Sequence, residues 1–307
     1  MKPTRPLTGL VAAVHTPFRP DGSLHLDVVD RQAEQLRARG IDFVFVGGTT
    51  GEGHSLSLEE RRALARRWVD AARATALGVV VHVGANCLVD ARSLAAQAEE
   101  TGALAIAAMA PSYHKPRDVD ELVACCADVA AAAPRTPFYY YDIPSLTGVS
   151  LPMPQFLERA PRRIPTLAGM KFTSPDLMSY QLCLHAADGT FDVPYGVDEW
   201  LLAALALGAR GAVGSTYALA APVYNRMLRA FAAGDLATAR EEQLRSARLV
   251  RLLAGYGFMA AAKAVMAMLG VDVGPPRLPH SRLSAAQATE LRASLEALGF
   301  FDWIAAA

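Results

Sequence analysis

The chain has 307 residues, 52% of them hydrophobic, and its 30 basic and 30 acidic residues cancel to a formal net charge of zero. This balance offers no basic surface for nucleic acid and no acidic field for a charged partner, so neither is expected. The N-terminal region lacks the apolar core of a signal peptide, and no run reaches the ~18 apolar residues of a membrane helix, which predicts a cytoplasmic protein without a membrane partner.

Short apolar segments alternate with amphipathic helical segments up to about residue 216, which is typical of consecutive βα units. The predicted strands are Leu10–Val14, Phe43–Val46, Val79–Val83, Leu104–Met109, Phe138–Tyr141, Leu167–Lys171, Phe191–Tyr195 and Ala212–Gly214. Eight such units predict an α/β fold, a (β/α)8 TIM barrel, rather than an open doubly wound sheet. The open sheet would carry a glycine-rich dinucleotide motif after its first strand, where this chain has Val14 to Phe18.

Capping residues mark the starts of several predicted helices. Ser57 precedes a helix over 58–75, Asp118 precedes one over 119–132, and Asp90 is expected to cap a third. After residue 220 the strand pattern stops, and helical segments follow near 221–233, 235–254, 258–269 and 284–297. We therefore divide the chain into a barrel over residues 1–219 and a C-terminal helical subdomain over residues 220–307, packed on the barrel, with an irregular segment from Gly274 to Pro279.

The sixth predicted strand ends in a lysine, and reactive groups in barrel enzymes lie at the C-terminal ends of strands. Alternation along this strand places four residues on one face: Leu167, Gly169, Lys171 and Thr173. If that face points into the barrel, the apolar surroundings disfavour a charged ammonium, and a neutral lysine amine is a nucleophile towards ketones. The alternative is that Lys171 points outward to a helix or pairs with a carboxylate.

The fifth predicted strand places Tyr139 and Tyr141 on one face, with Tyr141 at the mouth of the barrel. A phenol in this position can relay protons, because its hydroxyl both donates and accepts hydrogen bonds. The alternative is that the tyrosines only fill space at the barrel rim, which is the reading we adopt for Tyr140.

A glycine-rich turn, Gly47 to Gly53, follows the second predicted strand. Its glycines let backbone N–H groups approach an anion, and the hydroxyls of Thr49 and Thr50 add donors. The lysine of a Walker phosphate motif is absent and no arginine follows, which favours a small carboxylate over a phosphate. A purely structural glycine-rich turn is the alternative.

Two carboxylates, Asp198 and Glu199, follow Gly196 beyond the seventh predicted strand. They can bind a metal, cap the next helix or accept hydrogen bonds from a polyol. No histidine cluster accompanies them, so no metal is expected. An N-cap role for Asp198 stays open beside contact with a hydroxylated substrate. The eighth strand ends in the small residues of Gly211 to Tyr217, which leave room for a ligand.

Together these motifs resemble the dihydrodipicolinate synthase and N-acetylneuraminate lyase superfamily, and within it the lyases of the animal type. The resemblance covers nearly the whole chain and is carried by residues 9–13, 16–17, 48–53, 110–111, 138–144, 146–148, 169–172, 196–199, 211–217 and 274–279. It implies a class I aldolase, a carbon–carbon lyase that forms a covalent imine between a lysine and pyruvate. It also implies that no metal or organic cofactor is used and that the chain assembles as a homotetramer.

The resemblance also implies a role for each matching residue. Lys171 would form the imine with pyruvate, Tyr141 would relay the proton, and Thr49 and Thr50 would hold the pyruvate carboxylate. Tyr113 matches a tyrosine that family members lend to the site of a neighbouring subunit. Positions that contact the sugar acid in the lyases are matched here by Thr173, Gly196, Asp198, Glu199 and Ser215.

Leu146 stands where the synthases carry an arginine for the carboxylate of their second substrate, and a leucine cannot make that bidentate contact. The resemblance therefore implies reversible retro-aldol cleavage of N-acetylneuraminate to pyruvate and N-acetylmannosamine. The alternatives are an aldolase for another 2-keto-3-deoxy sugar acid, a dihydrodipicolinate synthase-like enzyme and a non-catalytic keto acid sensor. Asp142 and Ala218 depart from the lyase pattern, which leaves the aldehyde specificity open.

Overall fold

The computed structural model describes residues 5–305. The strands are β1 Gly9–Ala13, β2 Phe43–Val46, β3 Gly78–His82, β4 Ala105–Ala108, β5 Phe138–Asp142, β6 Leu167–Phe172 and β7 Gly211–Gly214. The helices up to the last strand are α1 Val28–Ala38, α2 Leu58–Thr75, α3 Leu88–Thr101, α4 Val119–Ala130, α5 Pro144–Thr147, α6 Met153–Arg159, α7 Leu177–His185 and α8 Leu201–Ala206. The helices after it are α9 Tyr217–Ala232, α10 Leu236–Gly255, α11 Phe258–Met268, α12 Ala285–Leu298 and α13 Phe300–Ala305.

The strands form one parallel sheet in the order β6-β5-β4-β3-β2-β1-β7. Its two edges are joined by the segment 192–195, which bridges Gly169 of β6 on one side and Ala212 of β7 on the other. The predicted (β/α)8 barrel is therefore confirmed. The predicted seventh strand is reduced to these bridges, because Pro194 has no N–H to continue a ladder.

The face assignment of β6 is partly wrong. Phe138 pairs with Leu167, but the next residue of β5, Tyr139, pairs with Gly169, so that Ala168 is an extra residue in the ladder. Ala168 consequently packs inside the barrel, whereas Leu167 packs in the outer layer between the sheet and the helices. Leu167 thus does not share the inner face, although residues beyond the shift return to the predicted alternation.

Two of the three predicted caps are present. Ser57 forms a full capping box with Glu60 at the start of α2, and Asp118 accepts a hydrogen bond from the amide of Glu121 at the start of α4. Asp90 does not cap α3, because that helix begins at Leu88 and takes Asp90 into its first turn. A carboxylate in the first turn still interacts favourably with the helix dipole.

The C-terminal helices begin with α9, which packs against β1 and runs across the predicted boundary between residues 219 and 220. The division of the chain into residues 1–219 and 220–307 remains a prediction, and we propose that the barrel includes α9. The segment from Gly274 to Pro279 forms neither helix nor strand. Within residues 5–305 no single helix is long and apolar enough to cross a membrane, and only the bent pair α10 and α11 reaches that length together.

Candidate active site

Lys171 points into the barrel from the C-terminal part of β6, and its residue is only 5% exposed. Its Nζ lies 4.0 Å from the centre of the Tyr141 ring and 4.6 Å from the centre of the Phe45 ring. Among the described residues no carboxylate lies within ion-pair distance of this nitrogen. Both versions of the alternative, an outward lysine and a paired lysine, are therefore wrong, and the amine faces aromatic walls.

Tyr141 ends the inner face of β5 and is buried beside this amine. Its hydroxyl lies 3.2 Å from the Thr49 hydroxyl, so the phenol joins the lysine to the glycine-rich turn. Tyr139 lies on the same inner face, as predicted, but its hydroxyl donates to Asp192 Oδ2 at 2.9 Å. Tyr140 lies on the outer face against Phe156, so Tyr141 is the one phenol of the three that meets Lys171.

The turn from Gly47 to Gly53 is tightly folded. The amide of Gly53 donates to the carbonyl of Gly48, and a Cβ at position 53 would lie 1.9 Å from the carbonyl oxygen of Gly47. Only glycine fits there. Within residues 5–305 the amides of Thr49 and Thr50 have no acceptor. Two free N–H groups beside a threonine hydroxyl and a lysine amine are the donors that a carboxylate requires.

Thr50 and Ser215 join the turn to the end of β7. Their hydroxyl oxygens are 2.6 Å apart, although the two residues are far apart in the chain. Thr50 is buried and Ser215 is partly exposed, so the serine lies nearer to the open mouth. The structure thus brings both residues to the same rim as Lys171, through the Thr49 and Tyr141 contacts described above.

Asp198 is buried in a single turn of 3₁₀ helix, Asp198–Trp200. Its Oδ2 accepts hydrogen bonds from the amide of Thr216 at 2.9 Å and from the Thr216 hydroxyl at 2.5 Å. The N-cap alternative is therefore wrong, because this carboxylate is bound to the start of α9 and not to its own helix. Burial raises the pKa of Asp198 to about 6, even though the Thr216 hydrogen bonds lower it.

The second oxygen of Asp198 faces the end of β7. A Cβ added at Gly214 would lie 2.0 Å from Asp198 Oδ1, so the glycine makes room for this oxygen. Behind the carboxylate, Thr216 Oγ1 lies 2.5 Å from the Tyr224 hydroxyl, which lies 2.8 Å from Ser246 Oγ. Ser246 then donates to the carbonyl of Asp198 at 3.2 Å. These contacts join Asp198, Thr216, Tyr224 and Ser246 in a closed ring.

Three further predicted site residues follow β6 or the bridging segment 192–195. Gly196 packs on the Thr173 hydroxyl, since an added Cβ would lie 2.1 Å from that oxygen, and Thr173 Oγ1 is buried without a partner among the described residues. Such an oxygen is free to bond a ligand. Glu199 is half-buried and borders a surface groove with Trp200 and Phe231, and within residues 5–305 it makes no hydrogen bond or ion pair with the other predicted site residues.

Tyr113 is apart from the rest of the predicted site. Its side chain is 80% exposed, its ring meets the ring of His114, and its amide donates to the side chain of Asn86. Within residues 5–305 it makes no hydrogen bond or ring contact with Lys171, Tyr141 or the turn.

The two departures from the lyase pattern do not face the mouth. Asp142 lies on the outer face of β5 with Tyr140, and burial raises the pKa of its carboxyl to about 7. Ala218 is buried in the outer layer, where its carbonyl accepts from Arg39 at 3.2 Å. This carbonyl is available because Pro222, one turn later in α9, has no N–H.

His82 is a residue of this site that the sequence reasoning missed. It ends β3, is 2% exposed and meets the Tyr141 ring edge to face at a centroid distance of 5.8 Å. Burial and the Arg61 guanidinium lower the pKa of His82 well below 6.5, so the ring is neutral. Nδ1 lies 3.1 Å from the carbonyl of Gly47, which only accepts, and 3.4 Å from Nη2 of Arg61, which only donates, so the tautomer decides which of the two it bonds. Alternation from Val80 places His82 on the inner face of β3, and this pattern could have identified the residue from the sequence.

The arrangement combines a buried amine, a phenol in contact with it, a turn with free amides, and a carboxylate beside the end of β7. An amine among aromatic walls can add to a ketone, and the phenol can move protons at the atoms next to it. Among residues 5–305 no group of three or more histidine, cysteine or acidic side chains could hold a metal ion, and a site without metal remains an expectation.

Comparison with known proteins gives independent evidence on the family of this chain. The model of the dihydrodipicolinate synthetase family matches residues 6–298. The N-acetylneuraminate lyase of Gallus gallus is 42% identical over 306 residues, which are 98% of this chain and 99% of that protein. The N-acetylneuraminate lyase structure from Aliivibrio salmonicida has 44% identity and a TM-score of 0.94, with 97% of this chain and 98% of that chain covered. The structure from Proteus mirabilis has 42% identity and a TM-score of 0.93, with 96% and 100% covered.

Proposed function

The chain belongs to the dihydrodipicolinate synthetase family, and from this premise we propose that it cleaves N-acetylneuraminate reversibly to pyruvate and N-acetylmannosamine. The enzyme is a carbon–carbon lyase. The observation that carries the proposal is the Lys171 amine, which is buried on the Tyr141 ring and has, within residues 5–305, no carboxylate at ion-pair distance. A lysine placed in this way serves as a nucleophile towards a keto acid.

The reaction begins when Lys171 Nζ attacks the C2 ketone of the open-chain sugar acid and water leaves, which forms a protonated imine. The C4 hydroxyl then loses its proton, the C3–C4 bond breaks, and its electron pair moves into the imine to give an enamine. Tyr141, hydrogen bonded to Thr49, moves this proton together with the substrate carboxylate. After N-acetylmannosamine departs, C3 takes up a proton and water releases pyruvate from Lys171.

Binding of the substrate carboxylate is assigned to the turn. The free amides of Thr49 and Thr50, and the Thr49 hydroxyl that contacts Tyr141, lie where the C1 carboxylate must sit if C2 is to reach Lys171. The hydroxylated tail would then extend towards Asp198 Oδ1, Ser215 and the free hydroxyl of Thr173, with Gly196 and Glu199 beside them.

The lyase is favoured over the synthase by Leu146. It lies on α5 with 60% of its surface exposed, and it offers no cation for the carboxylate of a second substrate. Steady-state rates on N-acetylneuraminate, on shorter 2-keto-3-deoxy sugar acids and on the synthase substrates separate these candidates. A preference for the shorter acids would replace the proposed substrate while keeping the imine chemistry.

Borohydride reduction in the presence of pyruvate tests the covalent step. We expect the wild-type chain to gain one pyruvyl group on Lys171, located by peptide mapping, and the Lys171→Ala variant to gain none. Lys115→Ala removes an exposed lysine and is the matched control, expected to trap pyruvate like the wild type. Absence of trapping in the wild type, or trapping in Lys171→Ala, would contradict the proposal.

We further propose that the enzyme works in the cytoplasm as a homotetramer in which Tyr113 serves a neighbouring subunit. The exposed Tyr113 ring supports this, because nothing in its own subunit, as far as residues 5–305 show, engages its hydroxyl. Sedimentation velocity measures the assembly, and a monomer with full activity would contradict it.

A further inference from the structure

A buried ion pair lies directly behind the glycine-rich turn. Lys263 is the one charged residue of α11, and its side chain is 1% exposed. Its Nζ lies 2.6 Å from Oε1 of Glu52, whose side chain is fully buried. The remaining donors of Lys263 are used on the carbonyls of Thr16, at 2.9 Å, and Pro275, at 3.2 Å. The C-terminal helices thus supply the charge that neutralises a carboxylate within the turn.

Glu52 has a backbone that needs support. Its φ of 51° lies in the left-handed region, which is unfavourable for a residue with a side chain. Both of its carboxylate oxygens are occupied by the C-terminal layer, because Oε2 accepts a hydrogen bond from the amide of Arg277 at 2.8 Å. The strained residue is therefore fixed at its side chain by α11 and by the irregular segment that follows it.

Two sets of contacts connect the ion pair to the backbone of the turn. The amide of Glu52 donates to the carbonyl of Thr49 at 3.0 Å, so the position of Glu52 sets the position of the threonine. Thr16 donates its hydroxyl to the carbonyl of Gly51 at 2.5 Å, and its own carbonyl is held by Lys263. Lys263 therefore holds the turn both directly and through the loop after β1.

Stability alone is a poor reason for this pair. Two charges lose their hydration on burial, and well-packed apolar residues of similar size often give equal or greater stability. A pair that instead sets the geometry of a binding turn has a reason to be charged, because Oε2 of Glu52 is held by a directed backbone amide while Oε1 meets the ammonium of Lys263. The turn it fixes is the one that carries the free amides of Thr49 and Thr50.

We infer that Glu52 and Lys263 are positioning residues for keto acid binding, so that the C-terminal helical layer is part of the active site without contacting substrate. This rests on the proposed function, because it assigns the substrate carboxylate to the turn. It predicts that disturbing the pair weakens binding of the keto acid but not of the aldehyde, and leaves the chemistry at Lys171 intact.

The test uses the full chain with the double variant Glu52→Gln/Lys263→Met, which removes both charges and avoids an isolated buried one. In the synthesis direction we expect KM for pyruvate to rise about tenfold, which corresponds to ~1.4 kcal/mol. KM for N-acetylmannosamine should stay within twofold, and the extent of borohydride trapping at saturating pyruvate should equal that of the wild type. Glu52→Asp keeps the charge, shortens the side chain, and should raise KM for pyruvate to a smaller degree.

The matched control is Arg226→Gln/Glu242→Gln, which removes an ion pair between α9 and α10, with the two side chains 18% and 4% exposed, together with the contact of Glu242 with Arg245. It should lower the melting temperature without changing KM for pyruvate. If the Glu52 and Lys263 variants keep the wild-type KM for pyruvate, the inference is overturned, and so it is if both substrates lose affinity equally. Failure of the proposed function is a separate result, because the wild type itself would then show no trapping.

Discussion

The two sides of the barrel mouth hold their charged groups in opposite ways. On the turn side, the buried carboxylate of Glu52 is matched by the cation of Lys263 and by a backbone amide. On the tail side, the buried carboxylate of Asp198 has no cation within ion-pair distance among the described residues, and it is held by the hydroxyl and amide of Thr216. Burial lowers the pKa of Lys263 to about 8, so the turn side keeps its cation below that pH, whereas the tail side titrates near pH 6.

This difference matches the two halves of the proposed substrate. A keto acid always presents a carboxylate and a ketone, which suit a fixed set of donors beside one nucleophile. A polyol tail presents hydroxyl groups that donate as well as accept, which suits an oxygen such as Asp198 Oδ1. The comparison predicts that changes on the turn side affect every reaction of the enzyme, and that changes on the tail side affect only reactions that include the sugar.

The largest effect is expected for Tyr141→Phe, which removes the phenol that lies over Lys171 and bonds Thr49. Loss of a general acid–base group typically costs ~10²–10⁴ in rate, and we expect that range for kcat of cleavage. The rate of imine trapping with pyruvate alone should fall as well, because the same phenol serves the attack on the ketone. Stopped reactions with borohydride at several times measure this rate.

Tyr140→Phe is the control for this variant. The Tyr140 hydroxyl is buried in the outer layer without a partner among the described residues, so its removal should leave both rates within twofold of the wild type. If Tyr141→Phe kept the wild-type rate of cleavage, the phenol would have no part in proton transfer, and the turn side would lose one of its two reactive groups.

A smaller and more selective effect is expected for Asp198→Asn. The amide keeps the shape of the side chain but loses the charge, and hydrogen bonds to a charged acceptor contribute ~1.5–3 kcal/mol. We expect kcat/KM for N-acetylneuraminate to fall about tenfold to a hundredfold, while trapping of pyruvate stays unchanged. Asp142→Asn changes a buried carboxylate on the outer face of β5, and this control should keep the wild-type kcat/KM. Equal losses in trapping and in cleavage would contradict the division into two sides.

The parts of this comparison that the sequence revealed are those encoded by local patterns. Alternation along single strands predicted that Lys171 and Tyr141 face inward, and the glycine spacing after β2 predicted the turn around Thr49. The eight βα units were recognisable for the same reason, since each needs only its own period of two or 3.6 residues. Ser57 likewise predicted the start of α2, because a capping residue and its partner lie three residues apart.

The parts that escaped prediction depend on contacts between distant segments. The extra residue Ala168 follows from the register between β5 and β6, and no pattern within β6 encodes that register. From the sequence, Asp198 resembles a helix cap. Its partner in the structure is Thr216, which the packing of α9 brings beside it. Lys263 is the one charged residue of an apolar helix, and its partner Glu52 lies far earlier in the chain. Neither position therefore predicts the ion pair from sequence.

The smallest effect, a shift in pH dependence, tests whether the tail side titrates. The raised pKa of Asp198, about 6, means that the carboxyl gains a proton as the pH falls through 6. The protonated group loses the charge that binds sugar hydroxyls, so kcat/KM for N-acetylneuraminate should decline below pH 6. Thr216→Val removes a hydrogen bond that lowers this pKa, so the decline should begin at higher pH, by about one unit if the bond contributes ~1.4 kcal/mol.

The measurement is kcat/KM for cleavage between pH 5 and 8, with pyruvate trapping followed over the same range. Thr166→Val removes the hydroxyl of another buried threonine, one that precedes β6 at the opposite end of the barrel, and should leave the profile in place. Because the cation of the turn side, Lys263, has a pKa of about 8 and so titrates above Asp198, trapping should not follow the Asp198 titration. If trapping and cleavage declined together with one pKa, a single group would govern both halves of the mouth, and the contrast between the two sides would be wrong.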